Sequence, residues 1–145
     1  MRAVVQRTSR AEVRVDDQVV GRIDTLGLTV LLGVTHEDSE QTAHKLAEKI
    51  WTLRILPDEV SCADIDAPLL VVSQFTLYAD CRKGNRPSFI KAGNPELANN
   101  LYEYIITKCK EEIPDVQTGI FGADMKISLI NDGPFTILLD SEDLA

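Results

Sequence analysis

Histidine is scarce in this chain, with two residues in 145. His36 and His44 do not stand at the i, i+4 spacing of a helical metal pair, so they read as surface or capping residues. Cysteine is also sparse and odd in number: Cys62, Cys81 and Cys109 include no Cys-x-x-Cys. That excludes a disulfide framework and a zinc knuckle and leaves free thiols, none with a histidine near it in sequence to make it a nucleophile. No Gly-x-Ser-x-Gly, no His-x-x-Glu-His and no glycine-rich phosphate loop occurs, so the common hydrolase and nucleotide constellations are missing. Neither a metal nor a cofactor is expected. The apolar runs are too short to cross a bilayer, and Met1 to Arg7 lacks the apolar core of a signal peptide, so a cytoplasmic location is expected. Positive charge is in deficit: the net charge of −8 argues against a uniformly basic nucleic-acid surface but leaves room for a local basic patch.

What is present is an ordinary globular composition, 44% hydrophobic and 26% charged. A chain of this length fits one domain, 1–145, that buries roughly two-thirds of its unfolded surface. Residues 2–15 alternate apolar and polar side chains, and Asp16-Asp17 separates them from Gln18–Ile23, which reads as strand, turn, strand. Leu26 to Val34 is almost wholly apolar, a strand buried on both faces. The capping pair Asp38 and Gln41 precedes Ala43, Leu46, Ala47, Ile50 and Leu53, whose spacing predicts an amphipathic helix over 38–54. The acidic, turn-rich segment Pro57–Pro68 leads into Leu69–Leu77, a second apolar strand. Asn94-Pro95 opens a second helix that stops before Pro114. Short strands follow at Val116–Thr118, Met125–Ile130 and Ile137–Leu139. The reading is α+β: mostly antiparallel sheets in β/β/α layers, with two main helices on one side.

Three stretches have the composition of a site. Asn131-Asp132-Gly133-Pro134-Phe135-Thr136 sits between two strand-like runs and reads on its own as a plain hairpin turn. Ser73-Gln74-Phe75-Thr76 ends an apolar strand, where freed backbone N–H groups can stabilise an oxyanion, or where edge residues simply satisfy local hydrogen bonds. If that strand stays regular, Ser73 and Phe75 share one face and Gln74 and Thr76 the other. Cys81-Arg82-Lys83-Gly84-Asn85-Arg86, with Lys91 beyond, is the densest basic cluster, able to hold phosphate or to stand as a solvated loop.

Taken together, Ser-Gln-Phe-Thr-Leu-Tyr at 73–78 and Asn-Asp-Gly-Pro-Phe-Thr at 131–136 resemble the two signature motifs of the D-aminoacyl-tRNA deacylases. The resemblance continues through Met1–Arg7, Leu31–Val34, Arg82–Gly84, Arg86–Phe89 and Phe121–Met125. It implies a homodimer that hydrolyses the ester between a D-amino acid and tRNA, with the active sites at the subunit interface. It places Ser73, Gln74, Phe75 and Thr76 in the catalytic pocket, with Phe121 and Met125 lining it. Arg7 and Phe89 would support the site, and Asn131 and Thr136 belong to the second motif. Gly133 and Pro134, joined by a cis peptide, would enter the partner's site and aim their carbonyl oxygens at the substrate ammonium. Arg82, Lys83 and Arg86 are candidate tRNA contacts. The segment Pro57–Pro68 is shorter than in many relatives. Two other readings of the residues stay open: a non-catalytic protein that binds RNA ends, and a dimeric enzyme acting on a small amide or ester.

Overall fold

A computed structural model describes all residues, 1–145. Its backbone is organised by one long strand, β1 (Arg2–Val15), whose burial alternates along much of its length as the period-two pattern requires. The turn at Asp16 and Asp17, both at positive φ, sends the chain back as β2 (Gln18–Ile23) against the second half of β1. β3 (Gly27–Gly33) pairs antiparallel with the first half. β4 (Leu69–Ser73) then joins β3 in parallel, and β5 (Val116–Thr118) joins β4 in parallel. The α+β class, the mostly antiparallel pairing and the helix layer are as expected; the sheet is mixed in that β3, β4 and β5 run parallel. The reason is topological: β3, β4 and β5 are linked by long connections carrying helices, and such crossovers return a strand in the same direction.

Those connections hold α1 (Glu40–Thr52), α2 (Cys62–Ile65) and α3 (Pro95–Glu112). α1 is capped by the Ser39 side chain, which accepts from Thr42 N–H, rather than by Asp38. Asp38 instead accepts from Thr35 N–H at 2.8 Å and from the Met1 ammonium at 2.9 Å. α2 lies in the acidic segment read as turns; the Ser61/Asp64 capping box that starts it was present in the sequence. α3 begins as predicted, with Asn94 accepting from Leu97 N–H and Pro95 in the first turn.

Two cores result. α1 and α3 cover one face of the sheet through Leu46, Ile50, Leu101 and Ile105 packed on Val5, Leu28, Val30 and Val71. The sheet curls so that β2 approaches β5, and Ala11, Val13, Ile23, Leu70 and Val72 fill the second core inside the curl. Gly21 marks the closest approach: a Cβ there would collide with the Thr118 carbonyl, so only glycine lets β2 come this near β5.

The final strand, β6 (Lys126–Asp140), changes the reading of the hexapeptide. The runs before and after it do not pair with each other. Both lie antiparallel along β1, with Thr8 opposite Asn131 and Gln6 opposite Thr136. Arg7 alone therefore faces Asp132, Gly133, Pro134 and Phe135, which leave the ladder as a bulge in one continuous strand. Period-two patterning marks both runs as strands but cannot tell a turn between partners from an excursion along a shared neighbour.

Candidate active site at the end of the fourth strand

β4 stops at Ser73, and the chain tightens at once into a 3₁₀ turn, Phe75–Tyr78. The continuous strand expected to Leu77 is thus cut short, and the two-face argument for Ser73, Gln74, Phe75 and Thr76 does not apply. Gln74 N–H donates to the Leu32 carbonyl at 2.7 Å, tying the turn to β3. Gly33 gives the turn its room, since a Cβ there would lie 3.0 Å from Leu77 Cβ and 3.1 Å from the Gln74 carbonyl. The turn has no side-chain cap, so its leading N–H groups, those of Phe75 and Thr76, have no acceptor within the turn or from its cap. The Gln74 side-chain amide donates to Thr76 Oγ1 across the start of the turn.

Ser73, Gln74 and Phe75 form one wall of a cleft of about 490 Å³. α3 contributes Ala98 and Tyr102, and the segment between β5 and β6 contributes Phe121 and Met125. The cleft is mainly apolar with a few polar groups in its lining, the usual character of a small-ligand site. Tyr102 is the residue that sequence reading missed. Its hydroxyl donates to the Val71 carbonyl at 2.8 Å, and its ring lies 6.1 Å from Phe121, so it connects α3, the strand behind Ser73 and the opposite wall. Burial pushes its phenol up to about 12, which keeps it protonated as a donor. A buried tyrosine on an apolar helix face was the available signal, because such a hydroxyl needs a partner.

Gly133 and Pro134 do not line this cleft. They are exposed at the tip of the bulge, and the peptide between them is cis. The base of the bulge is rigidly held. Asn131 accepts from Phe135 N–H at 2.8 Å and donates to Thr136 Oγ1 at 2.8 Å. Arg7 donates to the Asp132 carbonyl at 3.1 Å and to the Ile55 carbonyl at 3.0 Å, while its guanidinium lies 4.9 Å from the Phe135 ring centre. Gly133 has φ +130°, and a Cβ there would sit 3.1 Å from both the Arg7 guanidinium and Phe135 N. Within one chain the two motifs are therefore separate features, one forming a cleft and the other projecting from the surface.

Phe89 meets Phe75 edge to face at 5.2 Å, so it belongs to the cleft mouth, with both rings substantially exposed. Arg82, Lys83 and Arg86 stand exposed on the loop beside it. The two buried thiols and the two histidines are poorly placed as nucleophiles. Burial raises the thiols of Cys62 and Cys109 to about 12, and His36 bonds the Ile90 carbonyl through Nε2 at 2.6 Å, while His44 packs against Trp51.

An α+β domain with a mainly apolar cleft beside a sharp strand-to-turn transition has the architecture of a protein that binds a small ligand or the end of a larger one. Comparison with known proteins narrows the class. A family model described as D-Tyr-tRNA(Tyr) deacylase matches residues 4–140. A D-aminoacyl-tRNA deacylase of Cutibacterium acnes is 54% identical over 143 residues, covering 99% of each chain. One from Clostridioides difficile is 55% identical over 146 residues, covering 97% of each. Among solved structures, one described as a c-Myc DNA unwinding element binding protein superposes with a TM-score of 0.90 at 36% identity, over 97% of this chain and 98% of that one. A probable eukaryotic D-amino acid tRNA deacylase shares the fold, with a TM-score of 0.85 at 15% identity over 95% and 97% of the two chains. The chain belongs to the D-Tyr-tRNA(Tyr) deacylase family.

Proposed function

We propose that this protein hydrolyses the ester of D-aminoacyl-tRNA, releasing free tRNA and the D-amino acid, as a cytoplasmic homodimer that proofreads the chirality of aminoacylation. The full-length identity to relatives bearing that name carries the reading, and the cleft supplies chemistry that suits it. Water adds to the ester carbonyl, the N–H groups of Phe75 and Thr76 receive the developing oxyanion, and the ribose 3′ oxygen leaves with a proton. The flat apolar walls at Phe121 and Met125 suit the terminal nucleoside.

Thr76 is not the nucleophile in this account. Its hydroxyl meets the Gln74 amide nitrogen, which is not a base, and both histidines are engaged elsewhere. The proton relay is assigned to the 2′-hydroxyl of the terminal ribose, which is adjacent to the reacting ester.

The second motif supports the dimer. A projecting, internally clamped Gly133-Pro134 tip is suited to entering a neighbour's cleft, where its two carbonyl oxygens would accept from the substrate ammonium. The exposed apolar side chains Phe75 and Phe89 at the cleft mouth are those such a neighbour would cover. With the ammonium and the ester carbonyl both pinned, exchanging D for L swaps the α-hydrogen with the side chain and drives Cβ into the carbonyl rim. Selectivity then arises by excluding L rather than by recognising a D side chain.

Glycine has no Cβ to exclude. Glycyl-tRNA, including glycine mischarged on the alanine tRNA, is therefore expected to be cleaved, measured as release of labelled glycine at increasing enzyme. Complete resistance of glycyl-tRNA at enzyme levels that clear a D-aminoacyl-tRNA would contradict exclusion as the basis of selectivity.

A further inference from the structure

We infer that the loop from Cys81 to Pro87 holds the phosphodiester backbone of the RNA just upstream of the esterified nucleotide, and that Lys83 and Arg86 make the contacts while Arg82 does not. This rests on the ester-hydrolysis reading and names where the remainder of the same substrate runs.

Both roots of the loop are parts of the cleft. Its first root leaves directly from the 3₁₀ turn Phe75–Tyr78. Its second root begins at Phe89, whose ring packs on Phe75, and continues to Ala92 and Gly93, which line the cleft. The neck is closed by reciprocal backbone bonds between Asp80 and Ser88, at 2.8 and 2.9 Å. The second root is held to the segment after β3 by Gly93 N–H on the Val34 carbonyl at 2.8 Å and by the Thr35 hydroxyl on the Lys91 carbonyl at 2.6 Å. A chain emerging over Phe75 and Phe89 must pass this loop, and every residue from Cys81 to Pro87 is exposed.

Charge divides the three cations. Asp80 is the sole carboxylate between residues 80 and 91. It accepts from Arg82 Nε at 2.9 Å and from an Arg82 terminal nitrogen at 2.6 Å, and Lys91 Nζ lies 3.4 Å away. The Arg82 guanidinium in turn holds the Asp80 carboxyl far below the usual carboxylate range. Arg82 and Lys91 are thus occupied in shaping the loop, while Lys83 and Arg86 have no carboxylate of their own segment left to pair with. Gly84, at φ +70° with open space around it, turns the chain between them. In a protein of net charge −8, two uncompensated cations at the cleft rim form a local attractor for the anionic backbone that must lie there.

The test compares kcat/KM for D-tyrosyl-tRNA with that for D-tyrosyl-adenosine, which has the ester and the nucleoside but no phosphate, between about 50 and 200 mM salt. Lys83→Ala and Arg86→Ala are each expected to lower the ratio of the two activities by roughly threefold at the low end and to make the salt slope shallower by about 0.7. Lys110→Ala, an exposed cation on α3 far along the chain from the cleft, is expected to behave as wild type. Wild-type slopes and ratios in both loop variants would overturn the assignment. If wild type cleaves both substrates with no salt dependence, the loop assignment alone fails; if it cleaves neither, the ester reading fails and the loop assignment with it.

Discussion

A tRNA that ends in 2′-deoxyadenosine and carries a D-amino acid on its 3′ oxygen is expected to be cleaved at least about 10²-fold more slowly than its ribose counterpart, the lower end of what a positioned proton relay contributes. Thr76→Ala on the normal substrate is expected to stay within about tenfold of wild type, well short of the loss of a full catalytic group. The contrast follows from the surroundings of Thr76. Its hydroxyl faces the Gln74 amide rather than a base, and the groups proposed to receive charge in the transition state are backbone N–H groups, which a side-chain truncation does not remove. An aminoacyl ester is activated already, so an oxyanion site and a relay from the substrate's own ribose suffice. Single-turnover rates on the two RNAs and on the variant decide it. A Thr76→Ala protein that binds substrate normally but is inert, alongside normal cleavage of the deoxy substrate, would make Thr76 the nucleophile.

Gly133→Ala is expected to remain folded and to lose about 10²-fold or more of its D-aminoacyl-tRNA activity, the scale of loss when a reacting group is displaced by about 1 Å. The side chain would meet two obstacles. A φ of +130° is a conformation that L residues rarely adopt, at a cost of order 1–3 kcal/mol, and the new Cβ would press on Arg7 and on Phe135 N. Both obstacles act on the tip that is proposed to hold the substrate ammonium, while the base clamped by Asn131 lies outside the change. The same variant should narrow the difference between D- and L-substrates, because a displaced rim no longer excludes Cβ. Unaltered activity and selectivity in a folded Gly133→Ala protein would remove the hexapeptide from the site.

Much of this was legible in the sequence, and the parts that were not share a cause. Periodicity located the long strands and both main helices, since burial of alternate or every third and fourth residue is a local property. The mixed sheet was not legible, because parallel pairing of β3, β4 and β5 depends on how helical crossovers return the chain rather than on any residue in those strands. The two site motifs stood out by composition, but their geometry did not. The end of β4 at Ser73 is decided by the Gln74 bond to Leu32 and by the space at Gly33, neither visible from the apolar run around them. The hexapeptide looked like a hairpin turn because the sequence shows only its two flanking strands, not that both lie along β1 with Arg7 filling the gap. Tyr102 did not stand out within the second helix, and only its bond to Val71 marks it as a brace of the cleft. In the basic loop, the sequence counted cations equally, whereas Asp80 sorts them.

The most direct measurement is the hydrolysis of D-tyrosyl-tRNA and L-tyrosyl-tRNA by the same preparation of purified protein, followed as loss of the ester against an enzyme-free control. Rapid turnover of the D-substrate with L-tyrosyl-tRNA decaying no faster than in the control is the expected result. Equal cleavage of both, or of neither, would contradict a chirality-excluding deacylase.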